Sequence, residues 1–349
     1  MAQTTAEAHN YQTKKLNSKT QYTTSTDQHK STKKRVSTKP IFILLLVVLV
    51  VSGIITTRSL SVISSYLKLS HFTAGFIIMA IVTGIPELLV GVNSAMAGIP
   101  QLSLGDVIGS NIINLSMVLG LAVLIGGRIE FSENPIKKET IYLFLIALLP
   151  LLLAWDQNLS QLDGVILLGV FFIYFFIIYR AKNSNAGEDN DVSRELFLRN
   201  AIIFAGGVFA LLVSSRYLVY YASLIASEIG IPIFLVGVLL VSFGTSLPEL
   251  SFETISILHG YQFMAVGDLM GSTVTNSTLV LGLVSIISPI TISNFSQFQL
   301  TSIFLLFFIF IFIGFIRSNT GINRFRAVFL IITYLLFVLL LESNVMPAW

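Results

Sequence analysis

Two acids draw attention because each follows a proline inside a long uncharged stretch: Glu87 in VTGIPEL at 82–88 and Glu249 in GTSLPEL at 244–250. A charge at membrane depth costs about 2.5–3.5 kcal/mol on insertion scales, so an acid there is functional by default. Proline removes one helical amide bond and clashes with the carbonyl four residues back. For Pro86 and Pro248 those carbonyls belong to Val82 and Gly244. Carbonyls freed in a bilayer need another partner, and irregular backbone there is tolerated only where it is buried or lines a wet cavity. A cation satisfies them.

Further oxygens accompany the two acids. Asn114 and Asn276 supply amide oxygens, and Thr83, Thr245, Ser246, Ser110 and Ser272 supply hydroxyls; no His or Cys joins them. Such an all-oxygen set suits hard cations such as calcium, which takes about 6–8 oxygens at roughly 2.3–2.6 Å. Sodium uses similar ligands. Ser110 and Asn114 are four residues apart, as are Ser272 and Asn276, so each pair shares one helix face. Two carboxylates brought together in a dry site require counter-charge: one divalent cation, two monovalent cations or two protons neutralise the pair. Ions that exclude one another at a site exposed alternately to each face are exchanged, and competition by protons predicts inhibition at low pH.

Three more acids form a second tier. Glu253 lies one turn after Glu249 and reads equally as lining a solvated cavity or as widening a cation path or sensing protons. Asp106 and Asp268 fall at the start of their apolar stretches, where a helix-capping acid needs no further role.

The elements that must position these groups follow from composition. The 349-residue chain is 54% hydrophobic and 11% charged, with no cysteine. Its mean hydropathy is +0.83. It is an integral membrane protein. Ten stretches approach the roughly 20 residues of a bilayer-crossing helix: 41–57, 70–97, 106–127, 140–154, 164–180, 200–227, 229–258, 266–288, 299–316 and 327–341. The polar tail, 1–39, is expected to be disordered, and 181–198 to be a short linker. These divide the chain into a first transmembrane unit, 40–180, and a second, 199–349. Twelve Lys and Arg follow the odd-numbered spans and only Arg216 follows an even one, which puts the linker in the cytoplasm and both termini outside. The basic residues from Lys30 to Lys39 pull the other way. The pI near 9.0 reflects tail and loops and does not speak for nucleic acid; the partners are lipid and ions, and the oligomeric state is left open.

Residues 83–121 and 245–283 align without a gap at a constant offset of 162, with 15 of 39 positions identical. Pro86 matches Pro248, Glu87 matches Glu249, Asp106 matches Asp268, Ser110 matches Ser272 and Asn114 matches Asn276. Five spans precede the linker and five follow, so the second half inserts upside down. The expected fold is an all-α membrane protein of ten transmembrane helices, two inverted five-helix repeats with the substrate near the midplane.

At GTSLPEL, VTGIPEL, GDVIGSNIIN (105–114) and GDLMGSTVTN (267–276) the chain resembles the sodium/calcium exchanger family of the calcium:cation antiporter superfamily. The resemblance implies that Glu87, Glu249, Asn114 and Asn276 form the ion site, flanked by Thr and Ser oxygens and backbone carbonyls. It also implies exchange of calcium for sodium with spans 1 and 6 sliding, and no cofactor beyond the transported ions. Gly84 stands where the family usually has Ser, which puts an inherited sodium stoichiometry in doubt. Val82 stands where it usually has Gly. A proton/calcium antiporter, or one for another divalent cation, is the alternative. An intramembrane aspartyl protease built on Asp106 and Asp268, and a passive cation channel, rank below it, so the chain is not expected to be an enzyme.

Overall fold

In lipid every backbone amide must be satisfied within its own segment, so long apolar runs become helices. The computed structural model describes residues 38–66, 80–130, 135–182, 193–318 and 320–343. Among these residues eight helices are long and apolar enough to cross a membrane, and two shorter apolar helices, Ile85–Met96 and Thr140–Asp156, accompany them. The chain runs through α1 (Thr38–Tyr66), α2 (Ala80–Thr83), α3 (Ile85–Met96), α4 (Gln101–Ile113), α5 (Leu119–Gly126), α6 (Pro135–Leu153) and α7 (Gln161–Lys182). It continues through α8 (Arg194–Ile229), α9 (Ile233–Val236), α10 (Ser242–Thr245), α11 (Leu247–Leu258), α12 (Gln262–Thr275), α13 (Leu281–Ile287), α14 (Phe295–Arg317) and α15 (Arg324–Ser343).

Burial separates central helices from peripheral ones. The spans Gln101–Gly126 and Gln262–Ile287 are each 78% buried, whereas Arg194–Ile229 is 11% buried. Lipid is as apolar as leucine, so membrane helices associate through close packing and polar contacts rather than hydrophobicity. The most buried helices are accordingly those rich in Gly, Ser, Thr and Asn. A Cβ on Gly105 would stand 2.0 Å from the carbonyl oxygen of Phe234, and one on Gly237 would stand 2.3 Å from that of Leu102. There α4 touches the segment from α9 to α10 backbone to backbone.

Local geometry repeats at the same offset. Helix α3 ends in a Schellman turn: Ile99 N–H donates to Ser94 O, Gly98 N–H donates to Ala95 O, and Gly98 has φ +74°. Helix α11 ends likewise, with Tyr261 to Ser256, Gly260 to Ile257 and Gly260 at φ +82°. Glycine adopts that left-handed conformation without steric penalty, which closes the helix. Single π-helical turns follow α4 at Asn114–Val118 and α12 at Asn276–Val280. Strand β1 (Asn158–Leu159) pairs antiparallel with β2 (Ile290–Thr291), and Ile129 forms a bridge with Ile322. Each half thus contributes one segment to each pairing.

Several sequence boundaries are corrected. Arg58 and Arg216 lie inside α1 and α8 rather than in loops. A charge ends an uncharged stretch without ending a helix; α8, with 36 residues, extends about 54 Å at 1.5 Å per residue, well beyond a hydrocarbon core of about 30 Å. Helices also reach into the segments read as tail and linker, since α1 begins at Thr38, α7 runs to Lys182 and α8 starts at Arg194. The remainder of both segments, 1–37 and 183–192, lies outside the described residues, as does the first part of the second span, 70–79.

Candidate cation site

Each half breaks one helix at the proline. Helix α2 stops at Thr83 and α3 restarts at Ile85; between them Gly84 has φ −76° and ψ 0°. Helix α10 stops at Thr245 and α11 restarts at Leu247; Ser246 has φ −83° and ψ 0°. Pro86 and Pro248 occupy the second position of the new helices, where a missing N–H costs least. They donate nothing to Val82 O and Gly244 O. Glu87 and Glu249 follow in the first turns, where the helix dipole stabilises negative charge by about 0.3–1 kcal/mol. The ends of α2 and α10 turn carbonyls toward the same breaks.

The two breaks meet beneath α1. A Cβ on Gly53 would stand 2.7 Å from Pro248 Cγ and 3.5 Å from Pro86 Cγ. Side-chain bonds then cross between the halves in reciprocal pairs. Thr83 donates to Asp268 Oδ1 at 3.2 Å, and its repeat counterpart Thr245 donates to Asp106 Oδ1 at 3.1 Å. Since Thr245 spends its one hydrogen on Asp106, Ser110 donates to Thr245, at 3.1 Å. Asn111 donates through Nδ2 to Ser277 Oγ at 3.0 Å and accepts at Oδ1 from Asn276 Nδ2 at 3.3 Å.

Many oxygens remain. Glu87, Glu249, Asn114, Asn276, Asp106, Asp268 and Glu253 are all 0% exposed. Neither carboxylate oxygen of Glu253 has a hydrogen-bond partner among the described residues; those of Glu87 and Glu249 make no bond of full hydrogen-bond geometry there, although the Thr245 and Ser110 hydroxyls lie within reach of Glu87 and each of the two acids has its own helix-start backbone within reach. The same holds for Oδ2 of Asp106 and Asp268, both amide atoms of Asn114, Oδ1 of Asn276 and the Ser246 hydroxyl. Glu249 lies within electrostatic reach of Glu87, Asp268 and Glu253, and Glu87 within reach of Asp106. No Lys, Arg or His is buried among the described residues. Nor do three or more acids converge as a ready-made carboxylate cage there, so a dehydrated cation would draw on hydroxyl, amide and carbonyl oxygens beside the acids. A separate cavity of about 600 Å³, lined by Asn93, Met96, Arg216, Tyr217 and Tyr220 among others, lies toward the far end of α3 and contains none of these groups.

A family model described as sodium/calcium exchanger protein matches residues 39–180 and 199–341. The chain belongs to the sodium/calcium exchanger family. CaxA of Alkalimonas amylolytica is 33% identical over 258 residues, covering 71% of this chain and 81% of that protein. Sodium/calcium exchanger MaX1 of Methanosarcina acetivorans is 27% identical over 342 residues, covering 86% of this chain and 97% of its own. Among solved structures, the sodium-calcium exchanger NCX_Mj soaked with 10 mM Na+ and zero Ca2+ aligns with a TM-score of 0.64 at 25% identity, over 86% of this chain and 98% of that one.

Membership of this exchanger family sets the sequence-derived residues in context. The breaks carrying Thr83, Glu87, Thr245, Ser246 and Glu249 converge with Ser110, Asp106 and Asp268. Ser272 differs from its counterpart Ser110: it donates to its own helix, at Leu269 O, 3.2 Å away. Asp106 and Asp268 are not capping acids. Helices α4 and α12 begin at Gln101 and Gln262, so both acids sit more than a turn inside, buried and held by hydroxyls of the opposite half. Each acid borders an uncharged stretch because its own charge bounds that stretch, while the helix itself starts earlier. Glu253 is fully buried rather than solvated. Asn111 and Ser277 had no sequence signal from the repeat, because their counterparts are Thr273 and Leu115; the signal available was an amide inside an apolar stretch.

Proposed function

We propose that this chain is a secondary active antiporter that exchanges calcium for sodium by alternating access. Its site lies near the bilayer midplane, between two five-span halves inserted with opposite topology, ten spans in all. The observation carrying this reading is the pair Glu87 and Glu249: fully buried acids, within electrostatic reach of each other, with no buried base among the described residues to balance them. Charge at that depth needs a mobile counter-ion. The reciprocal Thr83–Asp268 and Thr245–Asp106 bonds are what a pseudo-two-fold axis between the halves produces, because such an axis maps each contact onto its partner.

In this reading the two glutamates neutralise calcium, or sodium ions in its place. Asn114, Asn276, Ser246, Ser110 and Ser272 complete the shells, with the carbonyls of Val82 and Gly244. Thr83 and Thr245 bridge between ion and aspartate, and the aspartates hold those hydroxyls across the interface. Family relatives named as sodium/calcium exchangers support the choice of ions. The protein resides in the cell membrane, with the linker cytoplasmic and both termini outside.

Counterflow tests the reading. Reconstituted protein should take up labelled calcium when sodium is loaded on the opposite side with pH clamped. Uptake driven equally by any gradient, or without a counter-ion, would refute exchange; uptake driven by protons alone would overturn the sodium assignment.

A further inference from the structure

The cavity of about 600 Å³ beside the end of α3 carries a charge of its own. Arg216, Tyr217, Tyr220, Tyr221 and Ser223 of α8 line it together with Asn93 of α3, and no acid is among its lining residues. Arg216 is exposed. Neither its guanidinium nor any of the three tyrosine hydroxyls has a hydrogen-bond or ion-pair partner among the described residues. Asn93 and Ser223 spend their hydrogens within the protein: the Asn93 amide donates to Leu89 O at 2.8 Å and to Ser215 Oγ at 3.0 Å, and the Ser223 hydroxyl donates to Tyr220 O at 2.7 Å. The cavity thus offers donors from Arg216 and the tyrosines, and acceptor oxygens from Asn93 and Ser223.

Its depth follows from the way α8 lies against α1. A Cβ on Gly207 would stand 2.3 Å from Thr56 Oγ1, and the Tyr66 and Phe197 rings are 4.6 Å apart, so the two helices run side by side in opposite directions. Arg216 lies about 14 Å beyond Gly207 at 1.5 Å per residue, level with Val47 and Val48 of α1. Those valines are exposed and fall inside the uncharged stretch 41–57. Arg216 is therefore at membrane depth. Arginine does not give up its charge in a protein, and an ionisable side chain at that depth calls for a partner. The cavity also reaches Ala97 and Ile99, in the turn that closes α3. Non-helical backbone belongs at the interface or beside a wet cavity, so the cavity leads from the arginine toward headgroup level, where tyrosine is enriched and a long basic side chain can extend.

We propose that this cavity binds one anionic glycerophospholipid of the leaflet toward which α3 ends, with the phosphate on the Arg216 guanidinium. Guanidinium holds phosphate oxygens through paired, charge-assisted bonds, and basic pockets between membrane helices recognise lipid headgroups. Span α8 is 11% buried, so the flank of the cavity faces acyl chains, which favours a lipid over a water-borne anion. With no acid in the lining to receive an ammonium headgroup, the charge favours a net-negative lipid. The Asn93 and Ser223 oxygens suit headgroup hydroxyls, as in phosphatidylglycerol. The proposal needs only the membrane location of the chain and is independent of the exchange reaction.

The test uses the purified full chain, delipidated in detergent. Thermal stabilisation is titrated with phosphatidylglycerol, phosphatidylcholine and water-soluble glycerol 3-phosphate, since a ligand of the folded state raises stability by mass action. Retained lipid is counted by native mass spectrometry. Arg216→Gln removes the charge, Arg216→Lys keeps it without the paired donors, and Arg324→Gln removes an exposed charge on α15 as the control. The expected result is stabilisation by phosphatidylglycerol with one molecule retained. Its half-saturating concentration should rise by at least about tenfold in Arg216→Gln, less in Arg216→Lys, and stay unchanged in Arg324→Gln. Equal stabilisation by phosphatidylcholine overturns the charge recognition, and equal stabilisation by glycerol 3-phosphate overturns the lipid. An Arg216→Gln titration that overlays wild type overturns the site; if that variant is not monodisperse, a wild-type titration in Arg216→Lys does the same. Wild-type protein that retains phosphatidylglycerol no better than phosphatidylcholine sinks the proposal whatever the variants do.

Discussion

Gly105→Ala tests whether the site depends on backbone contact between α4 and the α9 to α10 segment. The added Cβ would lie 2.0 Å from Phe234 O and 2.9 Å from its carbonyl carbon. An ordinary carbon–oxygen contact is about 3.3 Å or longer, so the elements must separate by roughly 1 Å; the obstacle is backbone, which cannot rotate away as a side chain can. Overpacking of this kind costs about 1–3 kcal/mol. The same displacement stretches the Thr245–Asp106 and Ser110–Thr245 bonds, both now 3.1 Å, beyond useful length. Each is worth about 1 kcal/mol. A total near 3–5 kcal/mol should lower the melting temperature in detergent by roughly 5–10 °C and reduce calcium counterflow more than tenfold, because about 1 Å of misplacement degrades a polar site severely. Gly206→Ala is the control: a Cβ there meets nothing within 4 Å, and alanine in a helix is favoured by up to about 1 kcal/mol. Melting curves from detergent-solubilised protein and calcium uptake into liposomes measure both. A Gly105→Ala protein as stable and active as the Gly206→Ala protein would refute the close-contact reasoning.

Three further expectations concern side chains. Glu87→Gln and Glu249→Gln should each weaken calcium dependence by at least about 30-fold, matching the 2–5 kcal/mol of a truncated buried charge pair; labelled-calcium uptake at graded concentrations measures this, and a normal curve for either variant removes the central ligand pair. Thr83→Val and Thr245→Val each strip a hydroxyl from an aspartate and should destabilise by about 1–3 kcal/mol. Thr245→Val should be the worse of the two in melting experiments, because Ser110 loses its acceptor as well; the reverse order contradicts the network. Asn111→Ala leaves Ser277 and Asn276 without their shared partner and should cost about 2 kcal/mol or more, measured the same way against Asn93→Ala, whose amide bonds Leu89 O and Ser215 only partly buried.

Much of this protein is legible from residue order because a repeat with constant offset needs no three-dimensional information. The acids after Pro86 and Pro248 announce themselves through the cost of charge in lipid, and proline breaks a helix through its own covalent structure. Helix ends were less legible. Arg58 and Arg216 interrupt the hydropathy pattern without interrupting helical hydrogen bonding, and Asp106 and Asp268 border uncharged stretches without starting their helices. What could not be read was which oxygens face one another. That Thr245 reaches Asp106 and that Asn111 bridges Ser277 and Asn276 both depend on how the two halves pack. Contacts between residues more than a hundred positions apart arise from packing of whole helices, and no local spacing encodes them.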